Sequence, residues 1–379
     1  MFRFSAPLLA LLFCLGSLAA GQSSHAQQAV TLQEQGRLPE AAEAWRRVVA
    51  ANPKDAGAYA SLGVVESRLK DYSKAIESYR RALAIAPKLP GIQLNLGLAE
   101  FKLQRLDAAI APLKAAIAEA PENGQARVLL GLCYYGTKRF KEAAETLRPV
   151  TAADPHNLGL LQIYAQSCLA GGLYAPAFDT FQEILRENPD SVAAHMLMAQ
   201  ALDGLNREED AIKELQAVVR SSPAEPSAHF SLGFLYWKAK RYDEAASEFR
   251  QELKYDPKNA LALGYLGDIE MKRGDVQAAR RDLTKAQQLS PEVRVASLDL
   301  GILDTQDKNY HGAIAELERA VKLDSTQADA YYRLATAYKA LGKPDEAEKN
   351  LAAVRSLHRK GNQDLLHRVS GAAPLPPVE

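Results

Sequence analysis

The stretch Ala56–Leu89, AGAYASLGVVESRLKDYSKAIESYRRALAIAPKL, carries the fold in a single copy. Tyr59, Leu62, Tyr72, Ile76, Tyr79 and Leu83 recur at steps of three and four, the period of two amphipathic helices whose apolar stripes must meet. The spacing predicts a turn near Lys70 and Asp71, with Ser73 capping the second helix and Asp107 and Asp243 in the same slot of other copies. Pro87 ends the second helix, because proline disfavours helix in the residue before it and cannot donate the next backbone bond.

Working outward, the same pattern returns every 34 residues. Pro53, Pro87, Pro121, Pro155, Pro189, Pro223, Pro257 and Pro291 form one column, with Ser325 next in register. Ala41, Ala75, Ala109, Ala143, Ala177, Ala211, Ala245, Ala279, Ala313 and Ala347 form a second, stricter one. A third holds only small residues: Ala29, Gly63, Gly97, Gly131, Ala165, Ala199, Gly233, Gly267, Gly301 and Ala335. Small side chains on two successive helices let the helices approach closely. The chain therefore grows by repetition, which is how 379 residues avoid splitting into unrelated domains.

Composition agrees. Hydrophobic residues make up 47% and do not alternate as strands require, so the class is all-α. The 46 basic and 46 acidic residues cancel, leaving no net field to draw in a phosphate backbone or an anionic membrane, which argues against nucleic acid as a partner. At the N-terminus Arg3 precedes an apolar run from Ala6 to Ala20, then Gln22, Ser23 and Ser24, the layout of a secretory signal peptide spanning 1–26. Cleavage is expected after Ala26, with Ala20 as the second candidate. An uncleaved anchor is the competing reading, but the run is shorter than the roughly 20 residues of a spanning helix, so the mature chain is expected to carry none. Cys14 follows bulky Phe13, which argues against a lipoprotein. Only Cys133 and Cys168 then remain, too few for a disulfide framework, and free buried thiols are expected there.

These columns resemble the tetratricopeptide repeat, whose pattern places an aromatic residue, Leu-Gly, Tyr, then Ala, an aromatic residue, Ala and Pro over 34 positions. Ala56–Leu89 carries Tyr59, Leu62, Gly63, Tyr79, Ala82 and Pro87; Pro226–Asn259 carries Leu232, Gly233, Tyr236, Ala245, Phe249 and Pro257. The resemblance covers about Gln22 to Arg359, with registers starting near 22, 56, 90, 124, 158, 192, 226, 260, 294 and 328. It implies an α-solenoid, a right-handed superhelix of about ten helical hairpins, occupying 27–359 as one domain. The first copy is the poorest, and the copy from Leu158 departs by placing Tyr164 and Ala165 where Leu-Gly is usual. Residues 360–379 are expected to form a short capping helix over Asn362–Val369 and a Pro- and Ala-rich tail.

No catalytic motif accompanies the repeat: H-E-x-x-H, C-x-x-C, G-x-x-x-x-G-K-[ST] and G-x-S-x-G are all missing. His195 and His229 stand one repeat apart, which raises a metal site, yet no third ligand column joins them. We therefore expect no catalytic, cofactor or metal residues and no bound cofactor. In the resembled family the first helices line a concave groove for a protein or peptide. Carried over copy by copy, the groove positions are Leu94, Leu98, Phe101 and Lys102; Val128, Leu132 and Tyr135; Gln162, Gln166 and Leu169; Met196, Gln200 and Asp203; and Phe230, Phe234 and Trp237. The Lys and Asn set by which some members clamp acidic C-termini is absent here. Packing between neighbouring first helices is the competing role for the apolar members. It is weakest for Trp237, since Leu232, Tyr236, Tyr242 and Phe249 already fill that copy's core columns. The functional expectation is an exported scaffold or adaptor; the alternatives are an accessory subunit of an envelope enzyme, secretion or assembly complex and, further off, a glycan-binding protein or hydrolase.

Overall fold

The computed structural model describes residues 23–370, with side chains from 25 to 360; the expected signal segment up to residue 22 and the tail from 371 lie outside the described residues. Within them the chain is twenty α-helices without a strand. They pair as hairpins: α1 (Ser23–Glu34) with α2 (Leu38–Ala51), α3 (Ala56–Arg68) with α4 (Tyr72–Ile85), α5 (Ile92–Lys102) with α6 (Leu106–Glu119), α7 (Gly124–Gly136) with α8 (Phe140–Ala153), and α9 (Leu158–Ala170) with α10 (Tyr174–Glu187). After α11 (Val192–Gly204) and α12 (Glu208–Ser221) come α13 (Ala228–Lys238) with α14 (Tyr242–Tyr255), α15 (Ala260–Lys272) with α16 (Val276–Leu289), α17 (Arg294–Gln306) with α18 (Tyr310–Leu323), and α19 (Ala328–Ala340) with α20 (Pro344–Ser370).

Each hairpin turns through one left-handed residue. Gly36, Lys70, Gln104, Lys138, Gly172, Asn206, Lys240, Gly274, Lys308 and Gly342 all have φ between +57° and +82°. The next residue's N–H then returns to the carbonyl five positions back, as Asp71 does to Glu66 at 2.9 Å and Arg241 to Tyr236 at 2.8 Å. This closure satisfies carbonyls that the helix end would leave bare. Asp71, rather than the expected Ser73, caps α4: its carboxylate accepts the Lys74 backbone N–H at 3.4 Å. Ser73 is already inside the helix, and Asp107 and Asp243 likewise sit in first turns, where a negative charge opposes the helix dipole. A further cap column opens the first helices. Asp55, Asn123, Asn157, Ser191 and Asn259 accept the backbone N–H three residues on, at 2.9–3.3 Å. At Pro90 and Pro226 the column is interrupted, and α5 and α13 start two residues late behind left-handed Gly91 and Ser227.

The alanine column is the point of closest approach, fully buried from Ala41 to Ala313. A Cβ on Gly267 would lie 2.7 Å from Leu283 Cγ and 3.3 Å from the Ala279 carbonyl; on Gly233 it would lie 2.9 Å from Phe249 and 3.3 Å from the Ala245 carbonyl. The glycine thus faces the alanine's backbone and receives the large side chain one turn beyond it. Copies are then tied to their neighbours by polar links twenty residues apart. Arg46 reaches buried Glu66 at 3.3 Å, Arg80 reaches buried Glu100 at 2.6 Å, and Gln216 donates to the Tyr236 hydroxyl at 2.8 Å.

Two expectations change. The helices group into two compact units dividing after Leu205, in the turn between α11 and α12, where the unbroken register points to one domain. Asn362–Val369 is not a separate capping helix, because α20 runs without a break from Pro344 to Ser370. The first copy is a formed hairpin: Ala29 is fully buried, and the Trp45 indole N–H donates to Gln33 at 3.3 Å. The expected cleavage point after Ala26 falls inside α1, where Ala26 packs against the first core cluster.

Candidate protein-binding face

In the first unit, the candidate groove residues divide between packing and surface. Leu94, Leu98 and Phe101 on α5 and Tyr135 on α7 are half-buried and pack against the cluster of Leu129, Leu130, Cys133 and Tyr134. Much of their apolar area therefore joins neighbouring first helices. Val128 and Leu132 are also half-buried. The structure brings Tyr135 and Gln166 together, the phenol donating to the amide oxygen at 3.1 Å, while Gln162 and Gln200 are exposed.

In the second unit, Phe230, Phe234 and Trp237 project from one stripe of α13 and remain half-buried. Phe230 and Phe234 stack at 6.3 Å, Phe234 and Trp237 at 5.9 Å. Tyr265 of α15, which the sequence reading missed, is the hub: it meets Phe230, Phe234, Trp237 and Phe249 at 6.1, 5.3, 4.9 and 5.8 Å. Such ring pairs add about 0.5–1.5 kcal/mol each beyond burial. Neighbouring-helix packing therefore accounts for part of this stripe, Trp237 included. The indole N–H of Trp237 donates to Asp268 Oδ2 at 2.5 Å, fixing the ring.

Asp268 belongs to a buried polar group beneath the rings. Lys272, one turn along α15, donates to its other oxygen, and the Lys272 ammonium lies 5.9 Å from the Trp237 ring centre and 5.8 Å from that of Tyr242. The next first helix supplies Asp299, whose buried carboxyl lies close enough to Asp268 to feel its charge. Burial, then the Asp268 charge, push the Asp299 carboxyl well above the usual carboxylate range, against the opposing pull of Lys272. The same two causes raise the Tyr265 phenol. Arg294 pairs with Asp329 at the outer edge. Asp299 Oδ2 and Arg294 Nε are buried without a hydrogen-bond partner among the described residues. An Asp amid the apolar residues of a first helix was the available sign, in LGDIEM at 266–271 and SLDLGIL at 297–303.

The histidine pair is not one site. The His195 ring meets the Pro189 carbonyl at 2.9 Å, whereas His229 Nδ1 meets Glu248 at 2.6 Å beneath the stacked ring of Tyr255. Among the described residues no group of three or more His, Cys, Asp or Glu is placed to hold a metal ion. Cys133 and Cys168 are buried free thiols, each pushed by burial to about 11. No helix of the described residues is long and apolar enough to cross a membrane.

Comparison with solved structures finds similarity to the Cut9–Hcn1 hetero-tetramer of APC/C (14% identity, 89% of this chain and 87% of that one, TM-score 0.47). It also finds yeast Tom70 (14%, 91% and 96%, TM-score 0.41) and the MamA protein (20%, 50% and 100%, TM-score 0.37). A comparison with curated proteins returns no match. Two family profiles described as tetratricopeptide repeat match, one over 27–90, 165–226, 196–253 and 230–293, the other over 100–167 and 304–367. Together these matches cover well more than half of the sequence, and the chain belongs to the tetratricopeptide repeat family.

Proposed function

We propose that the protein is an exported, non-catalytic scaffold that holds a protein partner on the first-helix faces, with the α13 stripe as its main anchor. The observation that carries this reading is the state of Phe230, Phe234 and Trp237: partly open to solvent, yet fixed by Tyr265 and by the Asp268 bond. Aromatic side chains already held in place lose little entropy when a partner covers them, and they dominate the energetics of such surfaces. The first-unit positions around Leu98 and Tyr135 contribute a second, more polar face through Gln162, Gln166 and Gln200. Export rests on the N-terminal sequence.

A photo-crosslinking amino acid placed at Phe234 in the native cell tests the reading. It should give a discrete protein adduct in the envelope fraction, while the same group at exposed Tyr255 on α14 should give none. Equal labelling at both positions, or none at Phe234, defeats it. Intact mass of the recovered chain reports the cleavage point, and a chain beginning at Met1 in the cytosol removes the export element.

A further inference from the structure

Each second helix from α2 to α18 packs against the first helix of the copy that follows. One column makes the polar part of that contact: Arg46 reaches Glu66, Arg80 reaches Glu100, Gln216 donates to Tyr236, and Glu318 accepts from the Tyr338 hydroxyl at 2.7 Å. The member of this column on α20 is exposed Ala352, and no first helix follows α20 among the described residues. A neighbouring column, buried at Ile76, Ala144, Ile212 and Ala246, becomes exposed Glu348 on α20. Leu351 stands in the column of buried Tyr79, Phe181 and Leu317 and is only half-buried. Tyr332 of α19 is in the register of Phe230 but has no following ring to meet. It is 56% exposed, the most open of the large apolar side chains among the described residues.

The outer stripe of α20 is Asp345, Glu348, Ala352, Arg355 and Arg359, all exposed and spaced by alternate steps of three and four. Acid lies before Ala352 and base after it. Turned end over end about Ala352, the stripe matches itself: Asp345 falls opposite Arg359, and Glu348 opposite Arg355. We propose that this face is a self-recognition surface, through which two copies of the chain pair with their α20 helices antiparallel about a two-fold axis at Ala352. The small side chain at the axis lets the helices approach. Tyr332 and Leu351 then gain the apolar cover that a following first helix gives in the other copies.

The alternatives are disfavoured by residues already described. Parallel pairing would set acid on acid and base on base along the stripe. Head-to-tail stacking would need an apolar face on α1, yet Gln28 and Thr31 are exposed where Leu62 and Val65 are buried against the preceding copy. A pair that uses the same patch on both partners closes as a dimer and does not grow into a filament. Within one chain Glu348 and Arg355 bond each other past Ala352, both well exposed. Exchanging that bond for the same bond between copies therefore costs little desolvation. Exposed ion pairs are individually weak, so the charges set direction and register while Tyr332 and Leu351 supply the attraction.

Sedimentation equilibrium of the full chain should show a mass that rises with concentration from one chain to two. Glu348→Arg and Arg355→Glu lie on the exposed stripe and should leave helicity unchanged. Each turns two attractive contacts into repulsive ones and should weaken the dimer at least about fivefold. An equimolar mixture of the two single variants should recover the parental affinity, because each offers the charge that the other lacks. The double variant should likewise pair with itself. Tyr332→Ser should weaken the dimer, whereas Leu261→Ser, at another exposed apolar site on α15, should not. A mass that stays at one chain up to about 100 µM overturns the proposal. So does a dimer indifferent to both charge exchanges, or one that the mixture fails to restore. Growth beyond two chains overturns the closed two-fold pair in favour of head-to-tail stacking.

Discussion

Gly267→Ala is the sharpest test of how these hairpins close. The added methyl would stand 2.7 Å from Leu283 Cγ, 2.9 Å from its Cδ2 and 3.3 Å from the Ala279 carbonyl oxygen. Carbon contacts are comfortable at about 3.5–4.0 Å, so Leu283 or the whole of α16 must yield by roughly 1 Å. Leu283 is fully buried among Ala279, Ala286 and Leu300 and has no empty space to enter. Overpacking of this kind costs about 1–3 kcal/mol, whereas alanine in a helix interior regains up to about 1 kcal/mol over glycine. The net expectation is a loss of about 1–2 kcal/mol, a fall of about 0.5 M in the urea midpoint of the second unit. Ala165 and Ala199 occupy the same register, so a methyl is accepted where a hairpin has formed around one. Because helices here are tied chiefly to their neighbours, the loss should concentrate in one place. Hydrogen exchange should quicken in 260–289 and stay unchanged in α3 and α4. An unchanged or higher midpoint would refute the claim that α15 and α16 close on a bare Cα.

Replacing Lys70 and Lys308 with glycine at their left-handed turns should stabilise the chain by about 0.5–1 kcal/mol each, since relief of about 1–2 kcal/mol of backbone strain exceeds the entropy glycine adds to the unfolded state; a lowered urea midpoint counts against it. Asp299 binds its proton more tightly folded than unfolded, so its contribution is complete below the ordinary carboxylate range and is lost as pH rises through its raised value. Melting temperatures of Asp299→Asn should therefore lack this decline with pH, and a slope identical to the parent's would contradict it. Trp237→Phe keeps a ring but removes the donor to Asp268, and a bond to a charged group is worth about 1.5–3 kcal/mol. Faster hydrogen exchange over 260–306 is the expected sign, and parental protection there would mean that the bond is not made in solution.

The features legible in the sequence are those for which physics admits one residue type. Proline at a helix end, alanine at the closest approach and a small residue facing it leave no substitute of similar effect, so their columns stand out at Pro87, Ala75 and Gly63. The left-handed turn column is just as regular in conformation but was invisible, because an exposed turn accepts Gly36, Lys70, Gln104 or Asn206 alike. Ser73 looks like a cap in the sequence because Ser and Asp compete for that role at neighbouring positions, but Asp71 has the non-helical backbone that capping needs. Of the candidate site, the stripe on α13 followed from the family resemblance together with its three- and four-residue spacing. Tyr265, Asp268 and Asp299 did not follow from it, since a contact such as Trp237 with Asp268 joins residues 31 apart through the stacking of adjacent copies. The break after Leu205 was hidden for the opposite reason: the repeat pattern runs through it undisturbed.

The Trp237–Asp268–Asp299 chain limits how the array can be edited by recombination. Most junctions between copies look interchangeable, so a copy could be duplicated or lost with little change in what meets what. The copies beginning at 226, 260 and 294 are different, because each supplies one member of a linked series. Excising the middle copy would carry Trp237 to a neighbour that offers Ile302 where Asp268 had stood, and would leave Asp299 in the place of Tyr265. The indole would lose its acceptor and the aromatic hub its centre in a single event. For these contacts to persist, the three copies must stay together and in this order.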